Sequence, residues 1–162
     1  MKHSLKKWLI VGLIVLGCIA LDQGSKLIAI NNLVEYHSVP VIKGFFYWTL
    51  CYNPGGAWSI FSDNTLALII ISIVALGVLI FTMFKSRNKM YDVASSVFMG
   101  GLIGNLIDRV INHEVTDFID FIIFGYDFPV FNLADIFICV SAAFIVLSIL
   151  KEEKENGIEN SN

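Results

Sequence analysis

Charge is scarce in this sequence. Of its 162 residues, 15% are Asp, Glu, Lys or Arg, where a soluble domain carries about 25%. Basic excess is missing too: 11 Lys and Arg against 14 Asp and Glu give a net charge of -3 and a pI near 5.5. That leaves no footprint for phosphates and excludes a nucleic-acid partner. Cysteine is sparse. Cys18, Cys51 and Cys139 are odd in number and far apart, and two lie in apolar runs, so neither a disulfide framework nor a thiolate metal cluster is indicated. Polar, charge-rich stretches of the kind that keep a chain unfolded are not a general feature either. What the chain has instead is apolar residues, 56% of the total, and a mean hydropathy of +0.73. The length suits one domain, and the composition is that of a small integral membrane protein.

A membrane helix needs about 20 mostly apolar residues to cross roughly 30 Å of hydrocarbon. Residues 65–84 supply this without a charge; residues 93–111 do so until Asp108 and Arg109, and residues 131–150 do so except for Asp135. The first run, residues 8–30, reaches full length only by including Asp22 and Lys26, four apart on one helix face, where an ion pair offsets insertion cost. The prediction is a membrane all-α fold, a bundle of four transmembrane helices. Eight of the 11 Lys and Arg flank one side: Lys2, Lys6, Lys7, Lys85, Arg87, Lys89, Lys151 and Lys154. Retention of basic residues in the cytoplasm then places both termini there. Asp22, Asp108, Asp117 and Asp135 fall near the outer surface.

Residues 35–60 contain an aromatic stretch rich in strand formers, with turn signals at Gly44 and at Asn53-Pro54-Gly55-Gly56. This predicts a small extracytoplasmic β-cradle. Its rings would also suit an interfacial aromatic belt. Residues 112–130 read as a connector between the third and fourth helices, and residues 151–162 as a polar, disordered cytoplasmic tail, leaving 1–150 as one membrane domain.

Ionisable residues in a span cost at least about 2.5 kcal/mol each, so they mark function by default. Asp22-Gln23-Gly24-Ser25-Lys26 also reads as a snorkelling, self-neutralised helix end. Gly101, Gly104, Asn105, Asp108 and Arg109 share one helix face, a pattern that serves helix packing as well as chemistry. Asp117 follows the third helix and Asp135, sharing a face with Asn132, opens the fourth; antiparallel packing brings both to one depth. Taken singly, they read as a loop carboxylate and a first-turn acid favoured by the helix dipole. Held together near apolar groups, one would keep its proton, and the pair could activate water and polarise a carbonyl without a metal.

Five motifs in order carry a resemblance over nearly the whole chain. Asp22-Gln-Gly-Ser-Lys26, Asn53-Pro-Gly55-Gly-Ala57, Gly101 to Arg109, Val115-Thr-Asp117-Phe118 and Phe131-Asn132-Leu-Ala134-Asp135 match D-Q-x-[TS]-K, N-x-G-x-A, G-x-x-G-N-x-x-D-R, V-x-D-F and F-N-x-A-D. The sequence thus resembles the bacterial lipoprotein signal peptidases, the type II signal peptidases. The resemblance implies an aspartic endopeptidase of the cell membrane, with an Asp117 and Asp135 dyad near the outer leaflet. It implies cleavage of prolipoproteins before the diacylglyceryl-modified cysteine, with no metal or cofactor. It places Asn53, Gly55, Asn105, Arg109 and Asn132 at the substrate, with Asp22, Lys26 and Asp108 supporting. Partners would be the prolipoprotein and membrane lipids, and a monomer is expected. Thr116, Gly56 and Ser25 depart from the usual Val, Ala and Thr without altering charge.

Three other readings have sequence support. Val15-Leu16-Gly17-Cys18 looks like a lipobox, although Leu16 is large for its place and apolar helix continues beyond Cys18. A small transporter would use the acidic residues as a polar path, yet they gather at one face and residues 65–84 carry none. A membrane scaffold would have no use for paired aspartates.

Overall fold

The structure is a computed structural model and describes residues 2–55 and 64–159. Gly56, Ala57 and Asp63 lie outside the described residues. The order is α1 (Lys2–Asn32), β1 (Ser38–Ile42), β2 (Phe46–Asn53), α2 (Thr65–Lys85), α3 (Lys89–Asn112), β3 (Val115–Ile123), β4 (Tyr126–Asp127) and α4 (Leu133–Glu159).

Side-chain caps set the helix starts. The Asn64 side chain accepts from the Ala67 N–H at 3.1 Å and opens α2. That of Asn88 accepts from Met90 and Tyr91 N–H at 3.0 and 3.2 Å, so α3 begins four residues ahead of the apolar run at 93. α4 runs on to Glu159 instead of stopping at 150, and the five residues after Leu150, Lys151 to Glu155, are all good helix formers.

Three helices are long and apolar enough to cross a membrane by length and composition: Thr65–Lys85, Lys89–Asn112 and Leu133–Lys154. Their outer surfaces are aliphatic. On α2, Leu66, Ile70, Ile71, Ile73, Val74, Val78, Phe81 and Phe84 are all more than half exposed, a patch far larger than a water-soluble monomer leaves uncovered. The chain is a multi-pass membrane protein.

With lipid outside, helix association depends on close packing and polar contacts rather than on hydrophobic burial. α3 is the central helix and touches the other three. A Cβ on Gly100 would sit 2.4 Å from Cys18 Cβ on α1, one on Gly104 2.4 Å from the Asp22 carboxylate, and one on Gly101 2.6 Å from the Ala134 carbonyl oxygen of α4. The last obstacle is backbone and cannot swing away. Gly101→Ala is therefore expected to force α3 and α4 apart, costing about 1–3 kcal/mol. Thermal unfolding in detergent should show the loss, and an unchanged transition would contradict this packing.

The four strands form one antiparallel sheet in the order β1-β2-β3-β4. β3 and β4 replace most of the connector expected over 112–130. Val115-Thr-Asp-Phe-Ile-Asp-Phe-Ile-Ile123 is itself rich in β-branched and aromatic residues, and Gly125, at φ +80°, allows the turn into β4. As expected, the aromatic stretch forms strands, and its rings pack on those of β3 and of residue 131: Phe46 stacks on Phe121 at 4.7 Å, Phe121 on Phe131 at 6.0 Å, and Trp48 lies 5.9 Å from Phe118. Leu50 and Phe118 pack with Ala29 and fix the sheet to the end of α1.

Candidate active site

The site forms where β3, the end of β2 and the start of α4 meet α1 and α3. α3 ends at His113, whose left-handed backbone (φ 66°) returns its N–H to the Arg109 carbonyl. Two residues later β3 begins, pinned to α3 by the Thr116 N–H on Asp108 Oδ2 at 3.2 Å. Asp117 is thereby held beside the bundle, opposite Cys51 in the β2 register. α4 opens with a reciprocal cap: Asp135 N–H donates to Asn132 Oδ1 at 3.0 Å, and Asn132 N–H donates to Asp135 Oδ2 at 3.1 Å. The first-turn acid suggested by helix electrostatics and the proposed dyad member are thus the same geometry.

Asn132 joins the two carboxylates. Its Nδ2 donates to Asp117 Oδ1 at 2.6 Å while its backbone holds Asp135. The second oxygen of each acid is also engaged, Asp117 Oδ2 by Asn53 Nδ2 at 3.0 Å and Asp135 Oδ1 by Asn105 Nδ2 at 2.8 Å. Asn53 is in turn oriented by the Gly55 N–H on its Oδ1. Both aspartates line a cavity of about 470 Å³, otherwise walled largely by apolar residues of β3, the segment Phe128–Phe131 and α4. Burial first, and then the charge of Asp135, push Asp117 up to about 7. Cys51 beside it is pushed up to about 12, chiefly by burial and then by the Asp117 charge, and stays a neutral thiol.

The remaining sequence candidates fall into two groups. Asn53 and Arg109 line the cavity with the aspartates. Arg109 is 8% exposed, and its Nε has no hydrogen-bond partner among the described residues. Gly55 does not line the cavity and acts through its N–H, which orients Asn53. Asn105 and Asn132 are buried behind the carboxylates, with Asn132 Nδ2 also 3.1 Å from Asn105 Oδ1.

Behind them lies a buried ionic cluster. Lys26 Nζ is 2.9 Å from Asp22 Oδ2, 2.9 Å from Asp108 Oδ2 and 3.0 Å from Asn105 Oδ1. Asp22 and Lys26 are 0% and 2% exposed, so they do not snorkel. Asp22 Oδ1 accepts the Ala134 N–H at 3.0 Å, securing the first turn of α4. Gln23 had no role in the sequence reading, yet its Nε2 reaches Asp108 Oδ1 at 2.9 Å and the Gly104 carbonyl at 3.2 Å. Its place one residue after Asp22, inside the D-Q-x-[TS]-K match, was the only available signal. The apolar lining of Phe128 to Val130 and of α4 carried no sequence signal at all. No group of three or more His, Cys, Asp or Glu residues among those described is placed to hold a metal ion.

The chain as a whole has relatives among known proteins. Residues 14–151 match the family described as signal peptidase (SPase) II. The chain is 36% identical over 150 residues to the lipoprotein signal peptidase of Listeria monocytogenes serotype 4b (strain CLIP80459), covering 91% of this chain and 97% of that one. To the lipoprotein signal peptidase of Listeria innocua serovar 6a it is 35% identical over the same shares. Among solved structures it is similar to a bacterial membrane enzyme determined by the in meso method at 2.3 Å, with a TM-score of 0.83, 36% identity and 90% of each chain covered. A second such enzyme, at 1.9 Å, gives 0.79 and 38%, covering 88% of this chain and 93% of that one. With the family match spanning most of the chain and these relatives aligned nearly end to end, the chain belongs to the signal peptidase II family and is a peptidase.

Proposed function

We propose that this protein removes signal peptides from prolipoproteins in the bacterial cell membrane, as an aspartic endopeptidase that cuts before the diacylglyceryl-modified cysteine. The observation that carries the reading is that Asp117 and Asp135 line one largely apolar cavity and are tied together through Asn132. In the proposed reaction the ionised carboxylate takes a proton from water, and the water oxygen bonds to the scissile carbonyl carbon. The protonated carboxyl hydrogen-bonds the carbonyl oxygen as it gains charge. The tetrahedral intermediate then breaks its C–N bond, and a proton passes to the leaving amine of the cysteine. Arg109 and Asn53, which line the cavity, would hold substrate carbonyls; Gly55 keeps the Asn53 turn open. Asn105 and Asn132, buried behind the carboxylates and not lining the cavity, are assigned to positioning the dyad, supported by Asp22, Lys26 and Asp108.

We read α1 as the fourth membrane span, with both termini inside and the sheet at the outer leaflet. The placement of basic residues supports this, as does Lys7, which donates to the Met83 and Ser86 carbonyls and pairs with Asp92 at 2.8 Å, at the bundle end away from the sheet. A single copy contains every residue assigned to the site, in keeping with a monomer among membrane lipids.

The test is cleavage in liposomes of one prolipoprotein with and without its diacylglyceryl group, followed by mass across pH. Only the modified form should be cut, leaving the lipidated cysteine N-terminal. Because Asp117 is raised to about 7, the single proton shared by the pair is lost as pH rises through that value, and the rate should fall on the alkaline side. The stability linked to that proton has the same sign, full in the acid range and lost as pH rises toward and through 7. Equal cleavage of the unmodified form, or a rate still rising above pH 8, would overturn the reading.

A further inference from the structure

A second cavity, of about 490 Å³, lies on the sheet and is lined by Ser38, Tyr47, Asp120, Ile122, Asp127 and the segment Phe128 to Val130. Those last three residues also wall the dyad cavity, so the two spaces are separated by one short stretch of chain. Their chemistry differs. The dyad cavity continues along α4 past Ile136, Ile138, Cys139 and Val140, that is, along a helix apolar enough to cross the membrane. The second cavity is built on strands. It presents a serine, a tyrosine and two carboxylates, and no cationic residue among those described lines it. Asp120 is held in place by the Thr49 hydroxyl, which donates to its Oδ2 at 2.5 Å and accepts from the Ser38 hydroxyl at 2.8 Å; Asp127 is exposed.

A peptide cut at the dyad has one arm in the bilayer and one arm leaving it. The apolar cavity suits the membrane arm. We propose that the second cavity binds the arm that leaves, the first few residues after the processed cysteine, and that Asp120 and Asp127 make it select for cationic side chains over anionic ones. The inference rests on the peptidase reading of the dyad. It assigns the sheet a role in substrate choice.

The test uses diacylglyceryl-modified substrates that differ only at the second to fifth residues after the cysteine, carrying Lys, Ser or Glu there. In low salt the Lys substrate should exceed the Glu substrate in kcat/KM by about tenfold, with Ser between, and the ratio should shrink as salt screens the attraction. Asp127→Asn and Asp120→Asn, measured separately, should each bring the ratio toward one. Because a ratio cancels any loss common to both substrates, a partly disordered variant still reports. Equal rates for Lys and Glu in the unmodified enzyme, or a ratio that survives both substitutions, overturns the inference and leaves the peptidase reading intact. Failure to cleave any of the three substrates overturns the peptidase reading and this inference with it.

Discussion

Asp117→Asn and Asp135→Asn are each expected to lower cleavage of a lipidated prolipoprotein by at least about 10⁴-fold, the scale on which loss of one member of a cooperating catalytic set is felt. Both changes keep the shape of the side chain and one acceptor oxygen. Asn cannot take a proton from water at position 117 or 135, nor share one with its partner. The fold should survive. At position 117 the substitution also removes a buried carboxylate whose burial already pushes it up to about 7, so the desolvation cost of ionisation disappears. Reconstituted variants should be assayed for cleavage and for thermal unfolding side by side. Residual activity within about tenfold of the unsubstituted protein would remove the dyad from the mechanism, whereas lost activity with lost folding would point to structure. The nearby Asp22 and Asp108 do not line the cavity and point at Lys26 instead.

Lys26→Met is expected to produce the largest loss of stability. The ammonium is almost fully buried and stands between two carboxylates at 2.9 Å each. Removing one partner of a buried ionic set leaves the others uncompensated, at a cost of roughly 3–5 kcal/mol. For a chain of this size that corresponds to a fall in the unfolding temperature of roughly 10 °C or more. The same substitution removes one of the two donors on Asn105 Oδ1, leaving Asn132 Nδ2 alone to fix which end of the amide faces Asp135, so activity should fall in whatever fraction remains folded. Asp22→Asn combined with Lys26→Met should recover part of the stability, because one orphaned charge is then gone. An unfolding temperature for Lys26→Met within about 2 °C of the unsubstituted protein would mean that the cluster carries no net structural weight.

Much of the site was legible because its residues are expensive where they stand. Asp, Asn, Arg and Lys within apolar runs stand out against a background that excludes them, and the motif order then suggested which two acids work together. Roles within the set were less legible. Asn105 and Asn132 carry the same side chain as Asn53 and also lie in motifs, yet only Asn53 lines the cavity; burial behind the carboxylates separates them, and burial depends on how α3 meets α4. Gln23 was passed over because a glutamine beside an Asp-Lys pair has no distinctive pattern until α1 lies against α3 and brings Gly104 and Asp108 within its reach.

The sequence by itself determined membrane residence, the apolar runs and the strand-forming stretch, and it singled out the acids of the candidate site, because each follows from local composition and the cost of placing charge in hydrocarbon. The tertiary structure decided that 115–127 adds two strands to the sheet, that Asp22 and Lys26 are buried rather than snorkelling, and that Asp117 and Asp135 share Asn132. These are long-range facts. Asp22 and Ala134 are 112 positions apart, and Asn53 and Asp117 are 64 apart; no local pattern encodes which residues meet across such separations, whereas packing of glycine-lined helices leaves few ways for them to do so.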